Sequence, residues 1–409
     1  MSCAPAQTVL PRGPDAAPAD TSTVLIATIE PLVGPTGVQT HSRALEAGLR
    51  SAGRPCMIQS ALMGNRRWAP VFAIRPLLLR RLNSTWSTWW LRHWHEAALR
   101  GGLNRTLKHH DVDAVIAQCP VSARAAMAAR DRSGGQFPVI LVCHFNYSEA
   151  TEYREKGELA GQSYFDEIIR TEKQVIEGVD HVVFVSNWAR DIVQRDRGIH
   201  PRASSVIWNG IPGATLTPRI KRPELGLNDE DLVLINVGTL EPRKNQLALI
   251  DLMGKIAPEH PNLRLVLIGD GPSRGQIESR IAQLGLEARV RLLGFRRDVP
   301  ELLPLADIYA HASLLENCPI VLLEAARAGL AMAAVPAGGV PELLEALGGT
   351  PLDLNRPASL TPLLTSANRR AEAGAFARSA FERCFTQQAM VARYRQVLES
   401  AAQRGGAAP

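Results

Sequence analysis

The stretch DIYAHASLLENCPIVLLEAARAGLAMAAV, residues 307–335, shows how the chain is organised. Two apolar runs, Ile308–His311 and Ala331–Val335, flank a helical pattern that starts at Pro319 and ends near Gly329. Proline suits the first position of a helix, and glycine suits the position after its last residue. Short apolar strands joined by a helix are typical of parallel sheets that helices cover on both faces. This stretch therefore predicts a strand–helix–strand unit of an α/β fold.

The same alternation of strands and helices extends over most of the chain. In the first half a helix is predicted at Val38–Ala52, and strands are predicted at Val24–Ala27, Ala114–Ala117, Val139–Val142, His181–Val185 and Ser205–Trp208. In the second half further strands are predicted at Leu232–Val237, Leu263–Ile268 and Val290–Leu293. The chain therefore reads as two doubly wound parallel-sheet domains that face each other across a cleft.

The domain boundaries follow from changes in composition. Residues 1–22 are rich in Ala, Pro and Asp and predict a disordered lead-in. A first domain spans residues 23–210 and a second spans 228–385. Between them, residues 211–227 carry three prolines and two glycines without periodicity, which is typical of a linker. Residues 386–409 predict a last helix that returns to the N-terminal domain, followed by a tail.

Composition excludes several classes of protein. The 409 residues are 45% hydrophobic and 21% charged, with 46 basic and 40 acidic side chains and a net charge of +6. A disordered chain, a collagen or a disulfide-stapled mini-protein needs a more biased composition, and this mild charge predicts no nucleic-acid partner. Six cysteines without metal-ligand spacing predict reduced thiols, and no apolar run reaches the roughly 18 residues of a membrane span. We therefore expect a cytoplasmic protein without a metal site.

The net positive charge is concentrated in one segment, residues 66–108, whose net charge of +8 exceeds the +6 of the whole chain. It holds nine basic residues against one acid, Glu96, and five of the seven tryptophans. A helical reading puts Trp86, Trp90 and Trp94 in one row and puts Arg81, Ser84, Thr88 and Arg92 on another face. One interpretation is a core helix with an exposed basic side. The other is an interfacial helix that meets anionic lipid or a polyphosphate-linked acceptor.

Two loops at predicted strand ends in the second domain could bind anions. Residues 236–245, NVGTLEPRKN, follow a strand and open a helix, and Arg243 and Lys244 in this loop could neutralise a diphosphate. The alternative is a solvated basic turn. Residues 268–273, IGDGPS, also join a strand to a helix, but their glycines miss the dinucleotide-binding spacing, so a tight turn is favoured.

The third loop carries two carboxylates, Glu316 before the predicted helix and Glu324 inside it. A carboxylate in an apolar helix is costly unless it is paired, so a purely structural role requires an internal Arg or Lys partner. The functional interpretation is that these acceptor groups bind vicinal hydroxyls while N–H groups of the loop meet phosphate or sugar oxygens. We favour the functional interpretation.

Taken together, these motifs resemble those of retaining glycosyltransferases of the GT-B fold, family 4, also described as glycosyl transferases group 1. The shared motifs are the Glu316/Glu324 pair, the VGTLEPRKNQ loop, the LRLVLIGDGP turn and VIWNGI at 206–211. The resemblance covers nearly the whole chain after residue 22. It implies a donor-binding C-terminal domain and an N-terminal domain on the acceptor side.

The resemblance implies roles for individual residues. Arg243, Lys244, Glu316 and His144 would form the catalytic set, with the two cations on the donor diphosphate and His144 near the reacting sugar. Further substrate contacts would come from Gly37, which approaches the phosphates, and from Glu324, which binds the ribose. Thr239 would also contact the substrate, at a position where many members have Arg. The transferred sugar would meet Asn317, Cys318, Pro319 and Ile320.

The implied reaction is a retaining, metal-independent transfer of a hexose-type sugar from a UDP- or GDP-sugar. The acceptor would be a hydroxyl of a glycan or lipid-linked glycan in cell-surface or exopolysaccharide synthesis. No cofactor is expected beyond this nucleotide diphosphate sugar donor, and residues 66–108 could add a peripheral contact with the inner face of the cell membrane. A small-molecule glycosyltransferase, a phosphorylase or epimerase, and a non-catalytic nucleotide-sugar-binding protein stay open as alternatives.

Overall fold

A computed structural model describes residues 22–31, 34, 36–63, 68–74, 79, 83–214 and 218–406. These residues form two compact units. The N-terminal unit comprises the described residues up to Asn209 together with Gln387–Gly406, and the C-terminal unit comprises Gly210–Thr386. The predicted lead-in, residues 1–22, lies outside the described residues except for Ser22.

The N-terminal unit is built on a parallel six-stranded sheet with the order β2-β1-β3-β4-β5-β6. Its strands are β1 Thr23–Thr28, β2 Cys56–Ser60, β3 Val112–Ala117, β4 Val139–Cys143, β5 His181–Phe184 and β6 Ser204–Val206. Its helices are Gly37–Ser51, Ala69–Ile74, Ser84–His109, Pro120–Ser133, Glu149–Glu155, Gln162–Gly178, Asn187–Asp191, the π-helical turn Ile192–Asp196, and Gln387–Gly406. One buried apolar cluster joins the central strands to the helices that cover them.

The C-terminal unit repeats this architecture with the strand order β12-β11-β10-β7-β8-β9. Its strands are β7 Leu232–Val237, β8 Leu263–Ile268, β9 Val290–Leu292, β10 Ile308–His311, β11 Ala331–Ala334 and β12 Thr350–Pro351, all parallel. Its α-helices are Gln246–Ile256, Arg274–Gln283, Val299–Leu302, Ile320–Ala328, Val340–Leu347, Thr361–Thr365 and Ala367–Cys384. Short 3₁₀ turns lie at Arg222–Leu225, Pro242–Lys244, Leu303–Leu305 and Pro357–Ser359.

The predicted strands agree with the structure wherever the sequence is continuously apolar. The predictions for β7, β8 and β10 match the observed strands residue for residue. The edge strands β2 and β12 are missing from the prediction. β2, Cys56–Ser60, alternates buried and half-exposed residues and contains one β-branched residue, and β12 is two residues long, so neither gives a strong strand signal.

The expectation of six reduced thiols is wrong at Cys384, which is disulfide-bonded. Disulfide partners need only lie close in space, so their spacing in the sequence does not reveal them. Free thiols are present at Cys56, Cys119, Cys143 and Cys318.

The last helix, Gln387–Gly406, packs within the N-terminal unit on the helix Gly37–Ser51. A Cβ atom on Gly48 would lie 2.5 Å from Cγ2 of Val391, so the glycine allows the two helices to approach closely. Tyr394 of the last helix is fully buried in this contact region. None of the helices in the described ranges combines the length and the apolar character needed to cross a membrane.

Glycines in the turn after β8 let it pack directly against the loop that follows β7. A Cβ atom on Gly269 would lie 1.9 Å from the carbonyl oxygen of Gly238, and one on Gly271 would lie 2.4 Å from the carbonyl oxygen of Leu240. Backbone hydrogen bonds hold the same contact, since Leu240 N donates to Asp270 O over 3.1 Å. The glycines that miss the dinucleotide-binding pattern therefore serve close packing of two loops.

We predict that Gly271→Ala lowers the free energy of unfolding by roughly 2–4 kcal/mol, because the added methyl group collides with a backbone carbonyl that cannot rotate away. Gly275→Ala is the matched control. A Cβ atom there has nothing within 4 Å, and the residue lies in a helix, so we expect a neutral or slightly stabilising effect of about 0.5–1 kcal/mol. Urea denaturation measures both variants, and equal stabilities for the two would contradict the packing described.

Candidate functional site

The candidate site of the C-terminal unit lies where β7 and β10 end. β7 leads through Gly238 and Thr239 into the 3₁₀ turn Pro242–Lys244, and Asn245 adopts a left-handed conformation with φ 56° before the next helix begins. Leu314 N donates to Arg243 O over 2.9 Å, which ties this turn to the loop after β10. Ligands of parallel sheets bind at this edge, where loops from neighbouring strands meet.

A compact ionic cluster joins the two loops. Lys244 Nζ lies 2.5 Å from Oε1 of Glu316, and Arg243 Nη1 lies 3.2 Å from the same oxygen. Arg243 also donates to the carbonyl oxygen of Leu315 over 3.1 Å and pairs with Glu241 over 3.1 Å. The structure thus brings together three of the four residues predicted as catalytic.

The electrostatic balance of this cluster keeps Glu316 ionised. Burial alone would raise the pKa of Glu316, but the positive charges of Lys244 and Arg243 outweigh it, and the pKa lies below its ordinary value. Lys244 has three N–H donors and uses one on Glu316, so it retains donors for an anionic ligand.

Glu324 lies in a different environment. It is partly buried on the helix Ile320–Ala328, and burial raises its pKa to about 6, with the charge of Arg327 acting in the opposite direction. Within the described residues no Lys or Arg forms an ion pair with Glu324, and Arg327 instead donates to the carbonyl oxygen of Pro212. The internal partner that a purely structural carboxylate requires is therefore not found in this part of the chain.

The remaining predicted substrate contacts lie around these groups. Asn317 is 5% exposed and Cys318 is 7% exposed. Pro319 is the residue that precedes the helix, and Ile320 is its first residue, one position later than the sequence predicts. Thr239 is exposed, and its carbonyl oxygen accepts a hydrogen bond from Gln246 Nε2 over 3.0 Å.

We predict that the charge of Glu324 destabilises the unit at neutral pH. Its pKa is higher when folded, about 6, than the ordinary 4.5, so the folded state holds more protons between these values and stability falls as the pH rises through this window. Glu324→Gln should therefore raise the free energy of unfolding at pH 7.5 by about 1–2 kcal/mol and have little effect at pH 4.

Denaturant titrations at the two pH values test this, with Glu345→Gln, an exposed position on the helix Val340–Leu347, as the control. If both variants behave alike at pH 7.5, the environment described for Glu324 is wrong.

In the N-terminal unit, His144 follows β4 and belongs to a network of neutral side chains. His144 Nε2 lies 2.9 Å from Oε1 of Gln118, and its ring meets that of His41 edge-on, with centroids 4.8 Å apart. His41 in turn contacts Asn209 Oδ1 over 2.9 Å and the hydroxyl of Tyr394 over 3.3 Å. Burial lowers the pKa of His41 to about 4 and that of His144 well below its usual range, so both rings are neutral at pH 7.

Gly37 opens the first helix of the same unit, with Thr36 and Gln39 forming a reciprocal cap at its N-terminus. Sequence reasoning did not identify His41, Gln118 or Tyr394, because single polar residues on apolar faces are usually satisfied core residues. Only their contacts with His144, direct or through His41, indicate a role. Their joint presence at His144 required the folded chain.

The sequence Asp111-Val112-Asp113, which formally matches a metal-binding signature, lies at the start of β3. Asp113 forms an ion pair with Arg54, and the backbone carbonyl of Asp111 accepts a hydrogen bond from Thr23 N. Within the described ranges, no group of three or more His, Cys, Asp or Glu side chains is arranged to hold a metal ion.

The tryptophan-rich segment forms a 26-residue helix, Ser84–His109, whose faces differ from the prediction. Trp86 is 65% exposed and Trp89 is 38% exposed. Arg92, predicted on an exposed basic face, is buried and forms an ion pair with Glu149. The prediction is wrong here because a buried carboxylate neutralises the guanidinium, which helical periodicity alone cannot reveal.

The predicted row of tryptophans therefore divides. Trp90 donates to the carbonyl oxygen of Val71 over 2.8 Å, and Trp94 packs against Trp90 and Trp68, so these rings are half-buried against neighbouring residues. Trp86 lies outside. Part of the predicted basic segment lies outside the described residues, namely Arg66, Arg67, Arg75, Arg80 and Arg81.

Two protein-family models match this chain. "Glycosyltransferase Family 4" matches residues 35–213, and "Glycosyl transferases group 1" matches residues 219–364. The second match contains the ionic cluster and Glu324, and the first contains Gly37 and His144.

Curated relatives match a part of the chain. The GPI3 subunit of phosphatidylinositol N-acetylglucosaminyltransferase from Saccharomyces cerevisiae is 30% identical over 176 residues, which are 41% of this chain and 38% of that protein. The UDP-Gal:alpha-D-GlcNAc-diphosphoundecaprenol alpha-1,3-galactosyltransferase of Escherichia coli is 29% identical over 157 residues, which are 36% of this chain and 41% of that protein. The chain thus matches about two fifths of the length of these relatives.

Solved structures match nearly the whole chain. Sucrose-phosphate synthase from Thermosynechococcus elongatus superposes with a TM-score of 0.74 at 16% identity, covering 94% of this chain and 100% of that one. Anabaena Alr3699/HepE, crystallised with UDP and glucose, gives 0.68 at 18% identity, covering 93% and 100%. At these identities the likeness concerns the fold, and it confirms the predicted GT-B fold with two parallel sheets.

Proposed function

Because the chain belongs to glycosyltransferase family 4, we propose that it transfers a hexose-type sugar from a nucleoside diphosphate sugar to an acceptor hydroxyl. The observation that carries the proposal is the cluster of Lys244, Arg243 and Glu316, together with Glu324, which has no ion-pair partner among the described residues. The donor in this proposal is a UDP- or GDP-sugar. The UDP complexes of a structural neighbour support such a donor.

In the proposed reaction the bond between the anomeric carbon and the diphosphate oxygen breaks, and the acceptor oxygen bonds to that carbon. The leaving diphosphate gains negative charge, and Lys244 and Arg243 stabilise it electrostatically. The acceptor proton passes to an oxygen of the leaving phosphate, so the products are a nucleoside diphosphate and the glycosylated acceptor. Attack on the face that the diphosphate leaves retains the anomeric configuration.

Each carboxylate has a separate task in this scheme. Glu316, held ionised by its two cations, accepts hydrogen bonds from the sugar, and the backbone of Asn317, Cys318 and Pro319 completes that contact. Glu324 accepts hydrogen bonds from the two ribose hydroxyls. The positive charge of Arg243 and Lys244 supports a metal-independent reaction, and His144 stays our candidate in the N-terminal unit for contacting the transferred sugar.

We predict that Lys244→Ala lowers kcat/KM for transfer by about 10²–10³, because it removes a charge that acts on the leaving group. A panel of UDP- and GDP-sugars, assayed by slow donor hydrolysis, first identifies the donor without knowledge of the acceptor. Lys255→Ala is the matched control, since Lys255 is exposed on the following helix of the same unit.

The control should keep full activity, and circular dichroism should show that both variants are folded. Near-native transfer by Lys244→Ala would refute the assignment of this cluster.

The acceptor in this proposal is a glycan or lipid-linked glycan used in surface polysaccharide synthesis. The names of two relatives specify phosphatidylinositol and a diphosphoundecaprenol glycan, and a third relative is a Vi polysaccharide biosynthesis protein of Salmonella typhi. The exposed rings of Trp86 and Trp89, on a helix that also carries exposed Arg100 and Arg105, support a contact with an anionic membrane surface. We therefore propose action at the inner face of the cell membrane.

We predict that vesicles containing anionic lipid sediment the protein at low salt, and that the double variant Trp86→Ala/Trp89→Ala lowers the bound fraction at least about threefold, because the rings no longer enter the headgroup region. Phe295→Ala controls for loss of an exposed aromatic ring, since Phe295 is 58% exposed in the C-terminal unit. Failure of the wild-type protein to sediment, or equal binding by the double variant, would contradict the membrane contact.

A further inference from the structure

One buried histidine next to the ionic cluster has no hydrogen-bond partner in the described part of the chain. His311 is the last residue of β10 and is 1% exposed, and neither Nδ1 nor Nε2 contacts a donor or acceptor among the described residues. A buried polar atom without a partner costs free energy, so such atoms in native proteins usually meet water or a ligand. The strand leads from His311 directly into the loop that carries Glu316.

The other buried histidines of the described chain show how unusual this is. His41 uses one ring nitrogen on Asn209 and the other on Tyr394. His181 uses Nε2 on Ser205 Oγ over 2.9 Å and Nδ1 on Arg404 over 3.0 Å. Both rings are therefore satisfied at both nitrogens, whereas His311 is satisfied at neither. Among the described residues, the protein thus pairs the buried imidazoles of His41 and His181 and leaves that of His311, beside the candidate site, without a hydrogen bond.

The surroundings of His311 identify the chemistry of its missing partner. The charges of Glu316, Lys244 and Arg243 all act on the ring, so the ring belongs to the same electrostatic environment as the cluster. The ring also stacks on Tyr309, with centroids 6.2 Å apart and planes at 24°, which restricts its orientation. Burial lowers the pKa of His311 to about 4, so at neutral pH the imidazole is uncharged and offers one N–H donor and one acceptor.

We propose that His311 binds the donor directly, donating its ring N–H to an oxygen of the nucleoside diphosphate sugar. This inference rests on the proposed donor-binding function of the same site. The neutral imidazole N–H contributes a directional hydrogen bond to the ligand. It supplements the charged contacts of Lys244 and Arg243 without adding a further charge. The accepting oxygen belongs to the diphosphate or to a sugar hydroxyl. Binding experiments with and without the sugar distinguish these two acceptors.

The experiment compares binding of UDP and UDP-glucose, or GDP and GDP-glucose, by calorimetry to the wild-type protein and to His311→Leu. Leucine fills similar volume and removes both unpaired nitrogens. The expected result is a loss of affinity of about threefold to tenfold, corresponding to one neutral hydrogen bond, with a melting temperature that is unchanged or higher. Loss for both ligands assigns the hydrogen bond to a phosphate oxygen, and loss for the sugar nucleotide alone assigns it to a sugar hydroxyl.

Two further variants distinguish binding from packing. His311→Asn keeps one donor and one acceptor and should recover part of the affinity that the leucine variant loses. Tyr309→Phe, a control on the same face of β10, removes a hydroxyl that lies 3.4 Å from Val237 O and should leave both affinities unchanged.

Unchanged affinity in His311→Leu, with or without a lower melting temperature, would overturn the inference alone, because a structural histidine behaves in that way. A wild-type protein that binds neither nucleotide nor sugar nucleotide would overturn the proposed function as well.

Discussion

The partly buried ion pair between Lys244 and Glu316 holds the candidate site together. It joins the turn after β7 to the loop after β10, two segments 72 positions apart in the chain. Each charge would be costly at this depth without the other, because an isolated buried ion loses its hydration. The pair therefore fixes the positions of both loops, and the further contacts of Arg243 with Glu316 and Leu315 reinforce the same connection.

The sheet beneath supports this pair. β7 and β10 are neighbours in the sheet, so their carboxyl ends lie side by side, and the turn after β8 packs against the β7 loop through Gly269 and Gly271. The loop that carries both cations is therefore held from two sides. Rigid placement of charges matters for a site of this kind, since preorganised groups stabilise a developing charge without first having to move.

The site combines groups in two different ionisation environments. Glu316 is kept charged by cations, whereas burial raises the pKa of Glu324 to about 6, and His311 is neutral and has no hydrogen bond among the described residues. Two polar groups lack a partner among the described residues: His311 on the strand has no hydrogen bond, and Glu324 on the next helix has no ion pair. Such groups lower stability, and proteins commonly retain them where ligand binding compensates for the loss.

Much of the fold could be predicted from the sequence because continuous apolar runs report buried parallel strands, as at β7, β8 and β10. The edge strand Cys56–Ser60 escaped prediction because it is exposed on one side and carries a weak pattern. The helix Ser84–His109 was predicted in the wrong orientation because its burial depends on a distant partner, Glu149, that neutralises Arg92. Local periodicity describes a helix face, but only a tertiary contact decides whether a charge on it can be buried.

The sequence by itself determined the α/β class, the two-domain pattern and the candidate groups Arg243, Lys244, Glu316 and Glu324, because each follows from local residue types and spacing. Tertiary structure alone decided which of these groups pair, and that among the described residues Glu324 forms no ion pair and the buried His311 forms no hydrogen bond. The physical reason is that pairing and desolvation depend on distances between residues far apart in the chain, and those distances exist only after folding.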